Sequence, residues 1–279
     1  MAFSEDQLER YSRHFVLPGV GVSGQKKLLQ SKVLVVGAGA LGSPALLYLA
    51  AAGVGTLGIA DDDRVDLSNL QRQIIHRTTF VGEEKLTSAK RAIEELNPDV
   101  RVVLHHGRVT PDNIRTILEG YDLVVDCTDR FASKFLINDA CVLARKPYIH
   151  AGIVRFAGQI MTYMPGKGPC LRCLMRKIPT GEQLTCSQAG VLGAATGVLG
   201  SLQAVEAIKC LLGIGEPLVG RILYFDGMSM EFQSIKCGDP NPDCPVCGTH
   251  PTILSVSDHR EEYEDRQSCS IGGAGGRND

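Results

Sequence analysis

The chain has 279 residues, of which 44% are hydrophobic and 22% are charged, and its formal net charge at pH 7 is −2. This composition allows a sizeable core, in one large α/β domain or two smaller ones, and the charge gives no reason to expect nucleic acid or a membrane as a partner. Glycines interrupt the longest apolar stretch, residues 45–60, and no Lys- or Arg-led apolar segment opens the chain. We therefore expect neither a signal peptide nor a membrane span.

The N-terminal half of the sequence alternates strand-like and helix-like patterns. After a helical segment at about residues 5–30, strands are predicted at residues 32–36 and 56–60, on either side of an apolar helix. Further helices are predicted at residues 85–97, 111–119 and 130–144, and further strands at residues 100–104, 123–126 and 147–151. This alternation predicts an α/β fold with a Rossmann-like, doubly wound and mostly parallel sheet.

The pattern changes after Gly158. A strand is predicted at residues 159–163, a long helix over Gly193–Leu212, and a hairpin at residues 221–225 and 230–235. Late strands of this kind extend a parallel sheet in antiparallel fashion. From residue 251 the composition becomes charged and then Gly-rich, so we expect a flexible tail over residues 251–279.

The segment after the first strand carries a dinucleotide-type fingerprint, Gly37-Ala-Gly39-Ala-Leu-Gly42, and the second strand ends in Asp61-Asp62-Asp63. In a Rossmann βαβ unit such glycines let the backbone approach phosphates, and the acid accepts a ribose hydroxyl. The next segment, Ser68-Asn69-Leu-Gln71-Arg72-Gln73, supplies a guanidinium and amide donors where a nicotinamide enzyme needs an apolar slot. This combination favours a polyphosphate such as ATP.

Further charged residues are candidates for the same site. Lys85 opens a predicted helix and could hold phosphates, although a lysine there is by itself more often a solvated charge. Arg10 and Arg13 would by default be surface charges of an amphipathic helix. Asp126 and Asp129 follow a buried strand at the end where such sheets bind ligands. Asp126 could simply cap the next helix, whereas Asp129 is the candidate Mg²⁺ ligand.

The sequence contains ten cysteines, and we expect them in the reducing cytoplasm, where metal or thiol chemistry is more common than disulfides. Two C-x-x-C pairs, Cys170/Cys173 and Cys244/Cys247, suit a tetrahedral structural Zn²⁺ with Zn–S distances of about 2.3 Å. Neither pair starts a helix after a strand, as a redox motif does. Cys186 precedes the long helix, where it is either an activated thiolate nucleophile or an inert loop cysteine.

Taken together, these motifs resemble the MoeB/ThiF/HesA family of ubiquitin-activating-enzyme-like sulfur-carrier adenylyltransferases, over about residues 5–250. The residues that carry the resemblance are Arg10-Tyr-Ser-Arg13, Gly37-x-Gly39-x-x-Gly42, Asp61-x-Asp63, Ser68-Asn69-Leu70-x-Arg72-Gln73, Asp126-Cys-Thr-Asp129, the four zinc cysteines and residues 200–209. The resemblance implies one adenylation domain over residues 1–250.

The resemblance also implies a reaction and its partners. The C-terminal Gly-Gly carboxylate of a small β-grasp sulfur carrier would attack the α-phosphate of ATP and release pyrophosphate, for molybdopterin, thiamin or thiolated-tRNA synthesis. Because no rhodanese module is expected after the domain, the sulfur donor, a cysteine desulfurase or a rhodanese, would be a separate protein.

Roles follow by position from the resemblance. Asp61 would bind the ribose, and Asn69, Arg72 and Lys85 the phosphates; Asp129 would hold Mg²⁺, with Gln73 nearby. Arg13 would act as an arginine finger in the partner subunit's site, which implies a homodimer. Cys186 matches a cysteine that the ThiF branch joins to the carrier and that the MoeB branch does not need for adenylation.

Three other functions are weighed against this one. An NAD-dependent oxidoreductase would share the Rossmann start, but residues 69–73 and the cysteine pairs argue against it. A non-catalytic scaffold that binds a ubiquitin-like protein would be expected to lose phosphate-binding residues. An enzyme that adenylates another carboxylate, of a peptide or a modified tRNA base, would keep them.

Overall fold

The computed structural model of the chain describes residues 2–179 and 189–264. In these residues eight strands form one sheet: β1 Lys32–Val36, β2 Thr56–Asp61, β3 Arg101–His106, β4 Leu123–Asp126, β5 Tyr148–Val154, β6 Ala157–Tyr163, β7 Arg221–Asp226 and β8 Glu231–Lys236. The strand order is β3-β2-β1-β4-β5-β6-β7-β8. β1 to β5 are parallel and β6 to β8 pair antiparallel, which confirms the predicted sheet.

The helices pack on both faces of this sheet. They are α1 Glu5–Arg10, α2 Ser12–Phe15, α3 Gly21–Gln30, α4 Gly42–Ala51, α5 Lys85–Leu96, α6 Ile114–Glu119, α7 Phe131–Leu143, α8 Leu171–Leu174 and α9 Gly193–Leu212. α5 ends at Leu96, one residue before the predicted end, because Pro98 disfavours a helical conformation at Asn97, which is extended.

Strand β1 shows why both faces of the sheet are covered. Val33 and Val35 point into the core beneath α4, α5 and α9, whereas Leu34 and Val36 point into the core beneath α6 and α7. All four side chains are buried. A strand that is apolar at every position, rather than at alternate ones, is typical of such a doubly covered parallel sheet.

Helix α9 is, among the described helices, the one long and apolar enough by length and composition to cross a membrane. Ala195, Leu199 and Ala207 of this helix are nevertheless buried against α4 and the sheet. Such burial is typical of the core helix of a globular fold. The helix ends at Gly213, whose φ of +73° allows the left-handed cap that closes it.

The packed chain extends past the predicted boundary at residue 250. Ile253, Val256 and Tyr263 are buried in the core on the α7 face of the sheet. The Tyr263 hydroxyl donates to Asp139 Oδ2 at 2.7 Å, and Arg172 pairs with Glu262 at 2.9 Å. The expectation of a flexible tail from residue 251 is therefore wrong for residues 251–264, because apolar side chains within that charged stretch bury themselves.

Candidate nucleotide-binding site

A cleft of about 2220 Å³ lies at the carboxyl ends of the parallel strands. β1 lies between β2 and β4, so the connections after β1 and β4 diverge at this point of the sheet. In doubly wound sheets ligands bind in the crevice that such a switch of direction leaves. Most of the predicted site residues border the cleft: Gly37, Gly39, Asp61, Asp63, Asn69, Arg72, Gln73, Lys85 and Asp129.

The three glycines of the fingerprint differ in how closely other atoms approach them. Gly37 has a φ of +98°, and a Cβ there would lie 2.8 Å from the carbonyl oxygen of Cys127. A Cβ at Gly42 would lie 1.9 Å from the carbonyl oxygen of Gly37. At Gly39, in contrast, a Cβ would meet only Gln73 Nε2, at 3.7 Å. The turn itself thus requires Gly37 and Gly42, whereas Gly39 leaves open space that a ligand can fill.

The acids at the end of β2 hold both the glycine turn and Lys85. Asp61 accepts hydrogen bonds from the Ala38 N–H at 2.7 Å and from the Asp63 N–H at 2.8 Å. Burial raises the pKa of Asp61, and the Lys85 ammonium and the two N–H donors oppose that rise. Lys85 is 4% exposed and its Nζ lies 2.7 Å from Asp63 Oδ2. The alternative of a solvated Lys85 is therefore wrong.

The segment after Asp63 brings Asn69 to the cleft on a short 3-10 helix, Leu67–Asn69, which Asp66 caps, and Arg72 and Gln73 follow in the next turn. Arg72 donates to the carbonyl oxygen of Ser68 at 3.0 Å. Gln73 is buried, and its Oε1 has no hydrogen-bond partner among the described residues. A buried acceptor without a partner is costly, so this atom and the open space at Gly39 fit a polar ligand that supplies the missing donor.

Asp126 anchors the loop that carries Asp129. It is fully buried and accepts from Thr128 N–H and Oγ1, from Lys134 Nζ at 3.3 Å and from His150 Nδ1 at 2.9 Å. Burial by itself would raise the pKa of Asp126, but the Lys134 ammonium and the His150 hydrogen bond outweigh it and hold that pKa well below its usual value. Asp126 does not cap α7, whose N-terminus has no side-chain cap.

Asp129, the candidate magnesium ligand, is exposed at the edge of the cleft. The carboxylates that the structure brings within 4.8 Å of one another are those of Asp61, Asp62 and Asp63, and Asp129 is outside that described group. Oxygen donors for a hard cation are therefore present on two sides of the cleft.

The two C-x-x-C pairs meet in one cluster. The Sγ–Sγ distances are 3.9 Å for Cys170–Cys173, 3.6 Å for Cys170–Cys244, 3.4 Å for Cys170–Cys247 and 3.3 Å for Cys173–Cys247. Four sulfurs about 2.3 Å from a tetrahedral zinc would lie about 3.8 Å apart. The donor set and spacing thus fit zinc, and the cluster joins the segment after β8 to α8.

Gly42, at the start of α4, and Arg13 do not border this cleft. Arg13 lies on α2, and Tyr11, which precedes that helix, packs on Gly53 and accepts a hydrogen bond from Asn97 at 2.9 Å. Gly53 and Asn97 precede β2 and β3, so α2 starts near the amino ends of the strands, away from the cleft. Cys186 lies in residues 180–188, outside the described residues.

Sequence reasoning missed three buried residues of the site: His76, Lys134 and His150. Lys134 and His150 hold Asp126, and His76 Nε2 lies 2.9 Å from the carbonyl oxygen of Ala38. The bonds of the two histidines join residues more than 20 positions apart in the sequence. Motif spacing therefore contains no signal for them. Only Lys134 is close in the sequence to its partner, because it lies eight residues after Asp126.

Comparison with known proteins places the chain among a defined set of relatives. A model described as the ThiF family matches residues 11–246. The adenylyltransferase and sulfurtransferase MOCS3 of Anopheles gambiae is 45% identical over 259 residues, which cover 92% of this chain and 59% of that protein. MOCS3-2 of Zea mays is 46% identical over 260 residues, which cover 93% and 54%. The chain thus spans a little over half the length of these relatives.

Solved structures of Escherichia coli MccB have a similar fold. The structure of MccB with ATP has a TM-score of 0.75 at 26% identity and covers 85% of this chain and 74% of MccB. The structure with MccA-N7isoASN has a TM-score of 0.77 at 26% identity, with 88% and 75% covered.

Proposed function

Because this chain belongs to the ThiF family, we propose that it is an adenylyltransferase that uses ATP to activate the C-terminal Gly-Gly carboxylate of a small β-grasp sulfur carrier. The observation that carries the proposal is the cleft itself. It combines the open space at Gly39, the unpartnered Gln73 Oε1 and the cations Arg72 and Lys85 at the carboxyl ends of the strands. The persulfide of a donor such as a cysteine desulfurase or a rhodanese would then attack the acyl carbon and release AMP, and a thiol would reduce the resulting acyl disulfide to the thiocarboxylate.

The residues of the cleft suit attack on a phosphoryl group. Asp61 would bind the ribose, and Asn69 and Arg72 the phosphates; Lys85 would be shared between the phosphates and Asp63. A carrier carboxylate oxygen would bond to the α-phosphorus while the bond to the β-phosphate oxygen breaks and pyrophosphate leaves. Such a step needs positioned donors and charge neutralisation more than covalent help. Mg²⁺ on Asp129 would neutralise charge on the leaving pyrophosphate.

The reaction is tested by ATP–pyrophosphate exchange in the presence of Mg²⁺. We expect exchange only with a β-grasp carrier that ends in Gly-Gly, because pyrophosphate re-enters ATP only from an acyl-adenylate. A carrier that lacks its last glycine is the matched control. The similarity to MccB keeps a peptide substrate as the alternative. If that alternative holds, exchange is expected with peptides and not with carriers. If neither carriers nor peptides support exchange, the result favours a non-catalytic scaffold and contradicts the proposal.

A homodimer would bring Arg13 to the site that it cannot reach in its own chain. His14, next to Arg13, lines a shallow groove with Tyr48 and Val205, and these two side chains are 58% and 50% exposed. This apolar surface beside Arg13 supports pairing of α2, α4 and α9 with a second subunit.

Mixed dimers test whether Arg13 acts across the interface. We expect R13A and R72A each to reduce exchange about 100-fold or more while the Tm stays within a few degrees, because both remove charge stabilisation and not packing. When the two inactive variants are mixed, about a quarter of the wild-type activity should return, since half of the dimers are mixed and each contains one intact site. Arg77→Ala is the control, because Arg77 lies five residues from Arg72 and belongs to an exposed ion pair. No recovery on mixing contradicts action in trans.

We also propose that the cysteine cluster holds one structural Zn²⁺. Cys173→Ser is expected to abolish zinc binding and to destabilise the fold by about 3 kcal/mol or more, because the segment after β8 loses its tie to α8. Cys237→Ser, outside the cluster, is the control and should keep both zinc content and Tm. Metal content by atomic emission and thermal melting measure the two effects. Equal zinc content in C173S and the wild type would show that this cluster is not the site.

A further inference from the structure

Hydrogen bonds within the protein hold several backbone groups of the glycine turn. The Gly37 N–H donates to the Ala60 carbonyl at 2.8 Å, and the Ala38 N–H donates to Asp61 at 2.7 Å. The carbonyl oxygen of Gly39 accepts from the Ser43 N–H at 2.9 Å. The peptide group between Ala38 and Gly39 is different, because its carbonyl is held by a side chain and its N–H borders the cleft.

His76 binds the first of these two groups. Its Nε2 lies 2.9 Å from the Ala38 carbonyl oxygen, and its Nδ1 lies 2.9 Å from the hydroxyl of Ser88 on α5. The ring is 5% exposed, and Ser88 is completely buried. A carbonyl only accepts, so Nε2 must donate, and the neutral ring then accepts the Ser88 proton at Nδ1.

The ring acts at neutral pH through its geometry and not through its charge. Burial lowers the pKa of His76 to about 4, and the nearby Lys85 ammonium acts in the same direction. At neutral pH the imidazole is therefore uncharged. It adds no cation to the cleft and only fixes the direction of the Ala38 carbonyl.

The second group, the Gly39 N–H, takes its direction from the first. No described peptide bond is cis, and in a planar trans peptide the C=O and the N–H point in opposite directions. The Gly39 N–H thus points away from His76. Gly39 borders the cleft, whereas His76 does not, and the Gly39 N–H has no hydrogen-bond partner among the described residues.

We propose that His76 is a positioning residue for the nucleotide: by holding the Ala38 carbonyl, it aims the Gly39 N–H at a phosphate oxygen of ATP. The inference rests on the proposed function, since it needs ATP in this cleft. It assigns a phosphate contact to a backbone donor that is set before the ligand arrives. A preorganised donor of this kind costs no rearrangement when the ligand binds.

The test compares the affinities of ATP and adenosine in His76→Phe, which keeps a planar aromatic ring, larger than imidazole, and loses both nitrogens. We expect the Kd of ATP to rise about 10-fold or more, as expected for a misdirected hydrogen bond to a charged group, with the Kd of adenosine changed less than about 2-fold. His76→Gln, whose amide can donate to the Ala38 carbonyl, should recover most of the ATP affinity.

A purely structural histidine gives a different result. His105→Phe is the control, because His105 is a half-buried histidine whose Nε2 lies 2.6 Å from the Tyr121 hydroxyl, but it lies outside the cleft. Equal losses of ATP and adenosine affinity in H76F, or an ATP affinity equal to that of the wild type, would overturn the inference. ATP binding is measured separately from ATP–pyrophosphate exchange. If the wild type shows no exchange but H76F loses affinity for ATP and not for adenosine, only the proposed reaction is overturned. A wild type that binds neither nucleotide overturns both proposals.

Discussion

The site depends on one close approach, between the turn after β1 and the main chain after β4. The position of a Cβ on Gly37 is 2.8 Å from the Cys127 carbonyl oxygen, so only glycine lets these two strand ends come together. Gly42 must also be glycine, because the start of α4 lies against the carbonyl of Gly37 and leaves no room for a Cβ. With this contact formed, Asp61 at the end of β2 and the loops that carry Arg72 and Asp129 border one cleft.

Charges inside this frame are arranged before any ligand binds. Asp126 is buried with Lys134 and His150, and the buried Lys85 pairs with the exposed Asp63. A single buried charge would be expensive, and pairing each charge with hydrogen-bonded partners offsets that cost. The result is a set of fixed charges and dipoles around open space. Fixed polar groups of this kind stabilise charge that develops during a reaction without having to reorganise.

The sequence predicted the sheet well because its strands are local patterns: Lys32–Val36 and Leu123–Asp126 occur as predicted. It also predicted which residues border the cleft, since the carboxyl ends of parallel strands meet at one edge. It missed His76, because the bond to Ala38 joins residues 38 positions apart. The packing of residues 251–264 was missed because its charged residues hid the apolar ones, and its partners Arg172 and Asp139 are distant in the sequence. Interactions between distant residues leave no periodic pattern in a sequence.

The central claim is that a carrier carboxylate attacks the α-phosphate of ATP in this cleft. The most direct test uses a carrier whose terminal carboxylate oxygens are ¹⁸O. After a single turnover, hydroxylamine cleaves the acyl-adenylate, and the released AMP is analysed by mass spectrometry. Attack by the carboxylate leaves one of its oxygens on the α-phosphorus, so the account predicts AMP that is about 2 Da heavier than unlabelled AMP. Unlabelled AMP, or label found only in pyrophosphate or phosphate, would contradict it.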